Sequence, residues 1–349
     1  MYKSFHFLLI AVWLVLPSLL SGCSKAEKKL QLSGHTMGTT YHITVVTKDA
    51  PTPVNVSDAK ELKRRIETLL ESINQQMSTY LQDSEISQFN RYQKTDWFKV
   101  SHDFAFVVDN AQQLSQRTQG AFDISVLPFV ELWGFGSKTQ YTLPSDKQIT
   151  ALLAETGYDK LHARLQPPAL KKDSAGLKID LSAIAKGFAV DKLSAYLEKQ
   201  GYLNHLVEIG GEIKAKGKNA RGEAWKIAIE QPQQARAAAS RILRISDTGV
   251  ATSGDYRNYY IKDGVRFSHT INPQTGRPVT HKLASVTVVH KSCMIADAYA
   301  TAIMVMGEIK GKRFILQNSL KANMIIRDAD SFKSWSNLLV KYIKKGGDG

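Results

Sequence analysis

Residues 177–201 read LKIDLSAIAKGFAVDKLSAYLEKQG, and the fold reading turns on the change of period inside them. Leu177, Ile179 and Leu181 alternate with Lys178 and Asp180, the period of a half-buried strand. Ser182 then caps a helix that extends to Gln200, where Gly201 stops it. Upstream the chain is helical. Leu62, Ile66, Leu69, Leu70, Ile73 and Met77 recur at threes and fours from Ser57, so an amphipathic helix is expected there. Ser101 caps a second helix through Phe104, Val107, Val108, Ala111 and Leu114, with Gly120 past its end. A short third helix covers 148–155. Downstream the period is two: strands are expected at 205–209, 225–229, 242–245, 266–271 and 283–289, and one more at 35–47 near the start. A last helix covers 294–306 and stops at Gly307. Helices crowd the first half and strands the second, which is an α+β pattern of two interleaved lobes rather than a regular βαβ array.

Composition bounds the function. The 349 residues carry 46 Lys+Arg against 32 Asp+Glu, a formal charge of +14, with 43% hydrophobic residues; this is a folded, basic chain. The basic residues are scattered rather than gathered in an arm or on one helical face, which argues against nucleic acid and leaves a phosphate-bearing substrate or anionic head groups as partners. Two cysteines, Cys23 and Cys293, build neither a disulfide framework nor a thiolate metal site. Cys293 sits in an apolar stretch and is expected buried and inert.

The N-terminus has its own signal. Lys3 precedes an apolar run from Phe7 to Leu20, about 14 residues where a bilayer span needs roughly 20. Leu20-Ser21-Gly22-Cys23 follows and resembles a bacterial lipobox. The resemblance implies a signal peptide at 1–22, acylation of Cys23, and a polar tether at 23–32 ahead of a domain at 33–345.

Four constellations point to chemistry, one of them the turns Met37-Gly38-Thr39, Met77-Ser-Thr-Tyr80 and Gly120-Ala-Phe-Asp123, whose flat or soft apolar groups either sandwich a heteroaromatic ring or pack the core. Asp180-Leu-Ser-Ala-Ile-Ala-Lys186-Gly187 lies where an extended run meets a helix. Unpaired N–H groups and the dipole of a first turn attract phosphate, and Lys186 adds a point charge. Equally, Asp180 there is an ordinary capping carboxylate. Asp297 and Thr301 stand four apart on an apolar helix, hence on one face. Two such oxygens suit Mg²⁺, which takes the rest of its shell from water and phosphates; a buried Asp bonded to a neighbouring turn is the competing reading. His269 precedes the tight turn Asn272-Pro273-Gln274-Thr275-Gly276, where it is either structural or a proton carrier. The other histidines lack zinc spacing, and no Walker A, G-x-S-x-G or G-x-G-x-x-G run occurs.

Read in order, HTMGTTY (35–41), MSTY (77–80), DSEISQFN (83–90), GAFDISVLP (120–128), LWGFG (132–136), DLSAIAKG (180–187), EIGGE (208–212), SGDYRN (253–258), HTINPQTG (269–276) and ADAYATA (296–302) form one set. The set resembles the ApbE family, the FAD:protein FMN transferases, over nearly the whole chain after Cys23. The resemblance implies transfer of FMN from FAD to a Thr or Ser hydroxyl of a target protein, release of AMP, and a Mg²⁺ requirement, with the flavin in the cleft between lobes. It also implies Mg²⁺ ligands at Asp297, Thr301 and the Ala183 carbonyl. An FAD site is implied at Met37, Tyr80, Ala121, Phe122, Asp123, Asp180, Lys186, His269 and Ile271, with His269 or Asp180 as the base. Implied acceptors are flavin-carrying subunits of the Na⁺-translocating NADH:quinone reductase or Rnf complexes, met at the periplasmic face of a bacterial membrane, inner or outer. An FAD pyrophosphatase and a non-catalytic flavin-binding lipoprotein remain the alternatives.

Overall fold

The structure, a computed structural model, describes residues 29–47, 56–136, 143–229, 240–255, 259–329, 331–338 and 340–343. The signal expected at 1–22, Cys23 and residues 24–28 of the expected tether lie outside the described residues, and residues 29–32 of that tether belong to a strand. Its centre is an eight-stranded sheet: β1 (Lys29–Thr36), β2 (Thr39–Val46), β3 (His205–Ile209), β4 (Glu212–Lys216), β5 (Thr248–Gly254), β6 (Leu283–His290), β7 (Lys321–Asp328) and β8 (Ser331–Ser336). The strands neighbour one another in chain order, and every pair is antiparallel.

Helices are inserted into this meander. Between β2 and β3 come α1 (Val56–Met77), α2 (Glu85–Arg91), α3 (His102–Arg117), α4 (Leu127–Leu132), α5 (Asp146–Glu155) and α6 (Ala185–Lys199); α7 (Cys293–Gln317) joins β6 to β7. Leu62, Ile66, Leu70, Ile73 and Met77 of α1 are buried, as their spacing predicts. The Ser101 hydroxyl accepts the Phe104 N–H, capping α3 as expected. The main core lies between the sheet and α1, α3, α6 and α7. A smaller cluster around Phe129, Trp133, Ile149 and Ile271 forms the opposite wall of the cleft described below. The mixed helix-and-strand class therefore stands.

Several boundaries differ from expectation. Residues 35–47 are not one strand: Met37 and Gly38, at φ 50° and 71°, turn the chain between β1 and β2. Residues 177–181 make no ladder. Leu177, Ile179 and Leu181 are fully buried, as alternation requires, but the backbone is satisfied otherwise. The Asn90 side chain both donates to Ile179 O (2.9 Å) and accepts from Ile179 N (2.8 Å), Lys172 Nζ donates to Leu177 O (3.0 Å), and Asp180 N donates to Ile124 O (2.8 Å). A turn over 182–184 follows, and α6 begins at Ala185 rather than Ser182. Gly307 does break the last helix, at φ 75° and ψ −176°, but a further helical segment runs on to Gln317.

α6 and α7 approach each other backbone to backbone. A Cβ on Gly187 would lie 2.5 Å from the Cys293 carbonyl oxygen and 2.7 Å from Met294 Cα. From the other side, a Cβ on Gly249 of β5 would lie 2.6 Å from Cys293 N. Asp191 of α6 secures the joint, its Oδ2 accepting the Ser292 hydroxyl (2.7 Å) and the Met294 N–H (3.0 Å) at the start of α7. Cys293 is fully buried, and burial pushes its thiol well up. Gly187→Ala is expected to cost about 1–3 kcal/mol by forcing the two helices apart; an unchanged urea midpoint in equilibrium unfolding would refute this contact.

Candidate active site

Three chain segments and one helix face meet at one end of the sheet. The turn ahead of α6 and the start of that helix bring Asp180, Ser182, Ala183 and Lys186; the β3–β4 turn at Gly210 and Gly211 leads to Glu212; the end of β5 brings Thr252 and Ser253; the buried face of α7 brings Asp297, Thr301 and Met304. Opposite them stand Val130, Phe135, His269 and Ile271. Together they enclose a cavity of ≈ 670 Å³, within the range of ligand pockets. A second cavity, of ≈ 830 Å³, is lined by Met37, Gly38, Glu71, Asn74 and Leu81 and shares Thr79, Tyr80, Ser182 and Lys186 with the first. Tyr80, 72% exposed, thus stands on the ridge between the two. Its loop is fixed from below, where the Ser84 hydroxyl donates to Ser78 O (2.7 Å) and Leu81 O (2.9 Å).

The charges sit at the first turn of α6. Lys186 Nζ pairs with Glu212 Oε2 at 2.9 Å, and Asp297 Oδ2 accepts the Gly187 N–H at 3.1 Å. Glu212 and Asp297 are both buried. Burial pushes the Glu212 carboxyl up to about 8 against the pull of Lys186, and burial likewise raises Asp297 above the usual carboxylate range. Burial alone would lower Lys186, but Asp297 and Glu212 together hold its ammonium above the ordinary lysine value. Two enclosed carboxylates therefore share one ammonium, so the site carries an excess of negative charge when both ionise.

Ser253 Oγ lies 3.1 Å from Thr301 Oγ1, which puts a second hydroxyl beside the one expected on α7. The oxygens of this wall are the Asp297 carboxylate and two hydroxyls, and Ala183 borders the same cavity. Among the described residues no three His, Cys, Asp or Glu side chains cluster as a metal cage. A hard divalent cation that completes its shell with water and phosphate oxygens fits this set, and its charge would offset the surplus carboxylate.

The remaining expected residues divide. Asp180 caps the turn before α6, its Oδ1 accepting Ser182 N–H (2.6 Å) and its Oδ2 facing the Thr79 hydroxyl (3.5 Å). His269 sits edge-on to the Phe135 ring at 6.4 Å between centroids, in a run of rings that continues through Tyr260, Phe267 and Trp133. Ala121, Phe122 and Asp123 border neither cavity. Phe122 is in the main core, while buried Asp123 accepts Ser125 N–H (2.8 Å) and Tyr158 N–H (2.9 Å). This segment works from behind: Ile124 O receives the Asp180 N–H.

Sequence reasoning gave no role to Glu212 or Ser253. The signal for Glu212 was an acid closing EIGGE at a strand start, where burial of its side chain is invisible without the turn geometry.

The profile of the ApbE family matches residues 37–326. A FAD:protein FMN transferase of Vibrio cholerae is 44% identical over 320 residues, covering 91% of this chain and 94% of that protein. One from Escherichia coli K12 is 39% identical over 307 residues, covering 87% and 86%. Among solved structures, the Vibrio cholerae flavin transferase ApbE superposes with a TM-score of 0.80 at 44% identity over 88% of this chain and 96% of that one. The ApbE protein of Thermotoga maritima gives 0.76 at 26% identity over 87% and 96%.

Removing the shared ammonium tests the charge balance. Lys186→Met is expected to lower stability by about 3 kcal/mol at neutral pH, because Glu212 and Asp297 stay buried without their cation. Adding Glu212→Gln is expected to recover part of that loss; a double variant no more stable than the single in denaturant titrations contradicts the shared-ammonium account.

Proposed function

This chain belongs to the ApbE family, and from that kinship we propose that it moves the FMN half of FAD onto a Thr or Ser hydroxyl of a target protein, releasing AMP. The observation that carries the reading is one convergence. Asp180, Ala183, Lys186, His269, Asp297 and Thr301, scattered over more than a hundred positions, border a single cavity beside a helix start.

FAD is a dianionic substrate, and its diphosphate suits the first turn of α6, where Lys186 stands inside a basic chain. Asp297, Thr301 and the Ala183 carbonyl would hold Mg²⁺, with Ser253 beside Thr301. When bound, the ion supplies positive charge to the diphosphate oxygens. Everything else falls to the chain. Lys186 is held by Glu212 at 2.9 Å, so its ammonium faces the cavity in a fixed place, ready for charge that grows on the bridging and leaving oxygens. The acceptor's hydroxyl oxygen attacks the phosphorus on the FMN side. A P–O bond forms to that oxygen, the P–O bond to the AMP phosphate breaks, and the hydroxyl proton passes to a base.

His269 is the base in this reading, because both Asp180 oxygens already face donors, Ser182 N–H and the Thr79 hydroxyl. Asp180 then orients the turn and the ligand groups beside it. No Ser–His–Asp triad is required, since the nucleophile arrives on the partner. Met37 and Tyr80 line the neighbouring cavity and offer apolar surface to the rest of the dinucleotide. Water in place of the acceptor would make the same site an FAD pyrophosphatase. Flavin-bearing subunits of Na⁺-translocating NADH:quinone reductase or Rnf complexes are the proposed targets, met at the periplasmic face where acylated Cys23 would hold the enzyme.

The full chain incubated with FAD, Mg²⁺ and a Thr-bearing acceptor domain is expected to give a covalently yellow acceptor, one FMN heavier on one Thr by mass spectrometry, with AMP in equal amount. Free FMN without adduct would instead assign the pyrophosphatase; flavin binding with no AMP would leave only a binding protein. Asp297→Ala is expected to lower transfer at least about a hundredfold, and full activity at saturating Mg²⁺ would remove Asp297 from the metal site. His269→Gln is expected to cost about 10²–10⁴-fold in rate and to abolish the acidic limb of the pH–rate profile. If that limb persists in the variant, the base is another group.

A further inference from the structure

The two ends of the sheet are chemically unlike. Following the register across it, Lys29 pairs with Val46, Val45 with His205, His205 with Lys216, Ala215 with Thr248, Gly249 with His290, and Val289 with Lys321. All of these lie at one end. The turns at Met37–Gly38 and Gly210–Gly211 and the close of β5, which border the two cavities, lie at the other. A strand of eight residues such as β1 separates the ends by about 27 Å.

The end away from the cavities is basic and partly greasy. Lys29, Lys199, Lys218, Lys291 and Lys321 are exposed there, and none of them enters an ion pair among the described residues. Of the acids at this end, Glu198 and Asp247 pair with Lys216 at 3.2 and 3.4 Å and Asp191 with Lys214 at 3.4 Å, while Asp58 lies near Tyr202. From Lys29 on β1 to Lys321 on β7 the strip crosses six strand spacings, about 29 Å. Two large apolar side chains protrude beside it: Leu203 between α6 and β3, 64% exposed, and Leu316 in the last turn of α7, 56% exposed.

The chain outside the described residues joins at this same end. Lys29 opens β1, and the six residue steps from Cys23 span at most about 21 Å of extended chain. Whatever Cys23 is attached to is therefore within reach of the lysine strip.

We propose that this end of the sheet is a bilayer-docking face, with the five lysines against anionic phospholipid head groups and Leu203 and Leu316 entering the interface. The inference rests on the lipid tether at Cys23 proposed above and adds to it a second contact that fixes orientation. Each lysine within a screening length of an anionic surface adds attraction, and the leucines add burial of apolar area. Docked in this way, the enzyme turns both cavities away from the bilayer.

The test uses the full-length chain reconstituted into vesicles. Leu203→Cys, Leu316→Cys and Ile261→Cys each carry an environment-sensitive fluorophore, with a lipid-borne nitroxide as quencher; Ile261, 65% exposed on the 259–262 hairpin, reports the cavity end. In phosphatidylglycerol vesicles the labels at 203 and 316 are expected to be quenched and the one at 261 not, and in phosphatidylcholine vesicles none strongly. Lys291→Gln and Lys321→Gln are each expected to lower the docked-to-free ratio about fivefold, while FMN transfer measured in detergent stays unchanged. Equal quenching at all three sites, no quenching at 203 and 316, or crosslinks between copies through position 316 in lipid-free detergent would each overturn the docking face. The mass of the N-terminal peptide reports separately whether Cys23 is acylated, and an unacylated chain that fails to float with phosphatidylglycerol vesicles overturns the face as well. Loss of transfer activity in detergent by the unsubstituted chain would count against the catalytic reading and leave the docking result standing.

Discussion

The contact on which the site depends is backbone against backbone: Gly187 on the start of α7. With no Cβ there, the first turn of α6 lies against Cys293 and Met294, and the Gly187 N–H reaches Asp297 Oδ2 at 3.1 Å. One missing methyl thereby brings together a helix N-terminus, the Lys186 ammonium and the carboxylate proposed as a metal ligand. Gly249 repeats the device from β5, so α7 is clamped between a helix and a strand at Cys293. Asp191 completes the clamp by capping α7 from the side of α6. Alanines at 296, 298, 300 and 302, all fully buried, let the rest of α7 follow this close path.

Close packing has an electrostatic consequence. Glu212 and Asp297 are drawn into low dielectric around Lys186, and burial opposes ionisation of both. A buried ammonium beside two carboxylates is not fully hydrated, and with both carboxylates ionised it carries a surplus negative charge that is costly unless another cation joins it. In the proposed reading the same groups become complementary when a divalent cation and phosphate oxygens occupy the cavity together.

Much of this was legible in the residue order. Stripes at threes and fours give α1 and α3 because burial on one helix face needs nothing beyond local spacing, and the four-residue step from Asp297 to Thr301 places both on one face for the same reason. Failures occur where a non-local partner decides. Residues 177–181 alternate as a strand does, yet their backbone partners are an asparagine side chain and a buried lysine, which no period reveals. The 35–47 run hid a turn because Met37 takes a positive φ that Met seldom adopts. β4, β5, β7 and β8 are not apparent in the sequence because charged or polar residues break their apolar alternation, small residues fill it, or, as in β7, apolar residues run together. Glu212 escaped notice as a site residue because its burial depends on Lys186, twenty-six positions away in sequence.

An antiparallel meander in chain order has two ends that serve different purposes. Hairpin turns at one end carry Met37, Gly210 and Gly211 and leave room between them, so cavities form where strands stop. The other end receives the chain at Lys29 and collects lysines, beside which Glu198 and Asp247 are engaged by Lys216. Because the nucleophile belongs to another protein, access to the cavities matters as much as their chemistry. A domain resting on its lysine end leaves the Tyr80 ridge and the His269 wall open to a target approaching from the aqueous side, about one strand length above the head groups. Orientation, in the proposed docking, follows from the end at which the chain enters β1, Lys29.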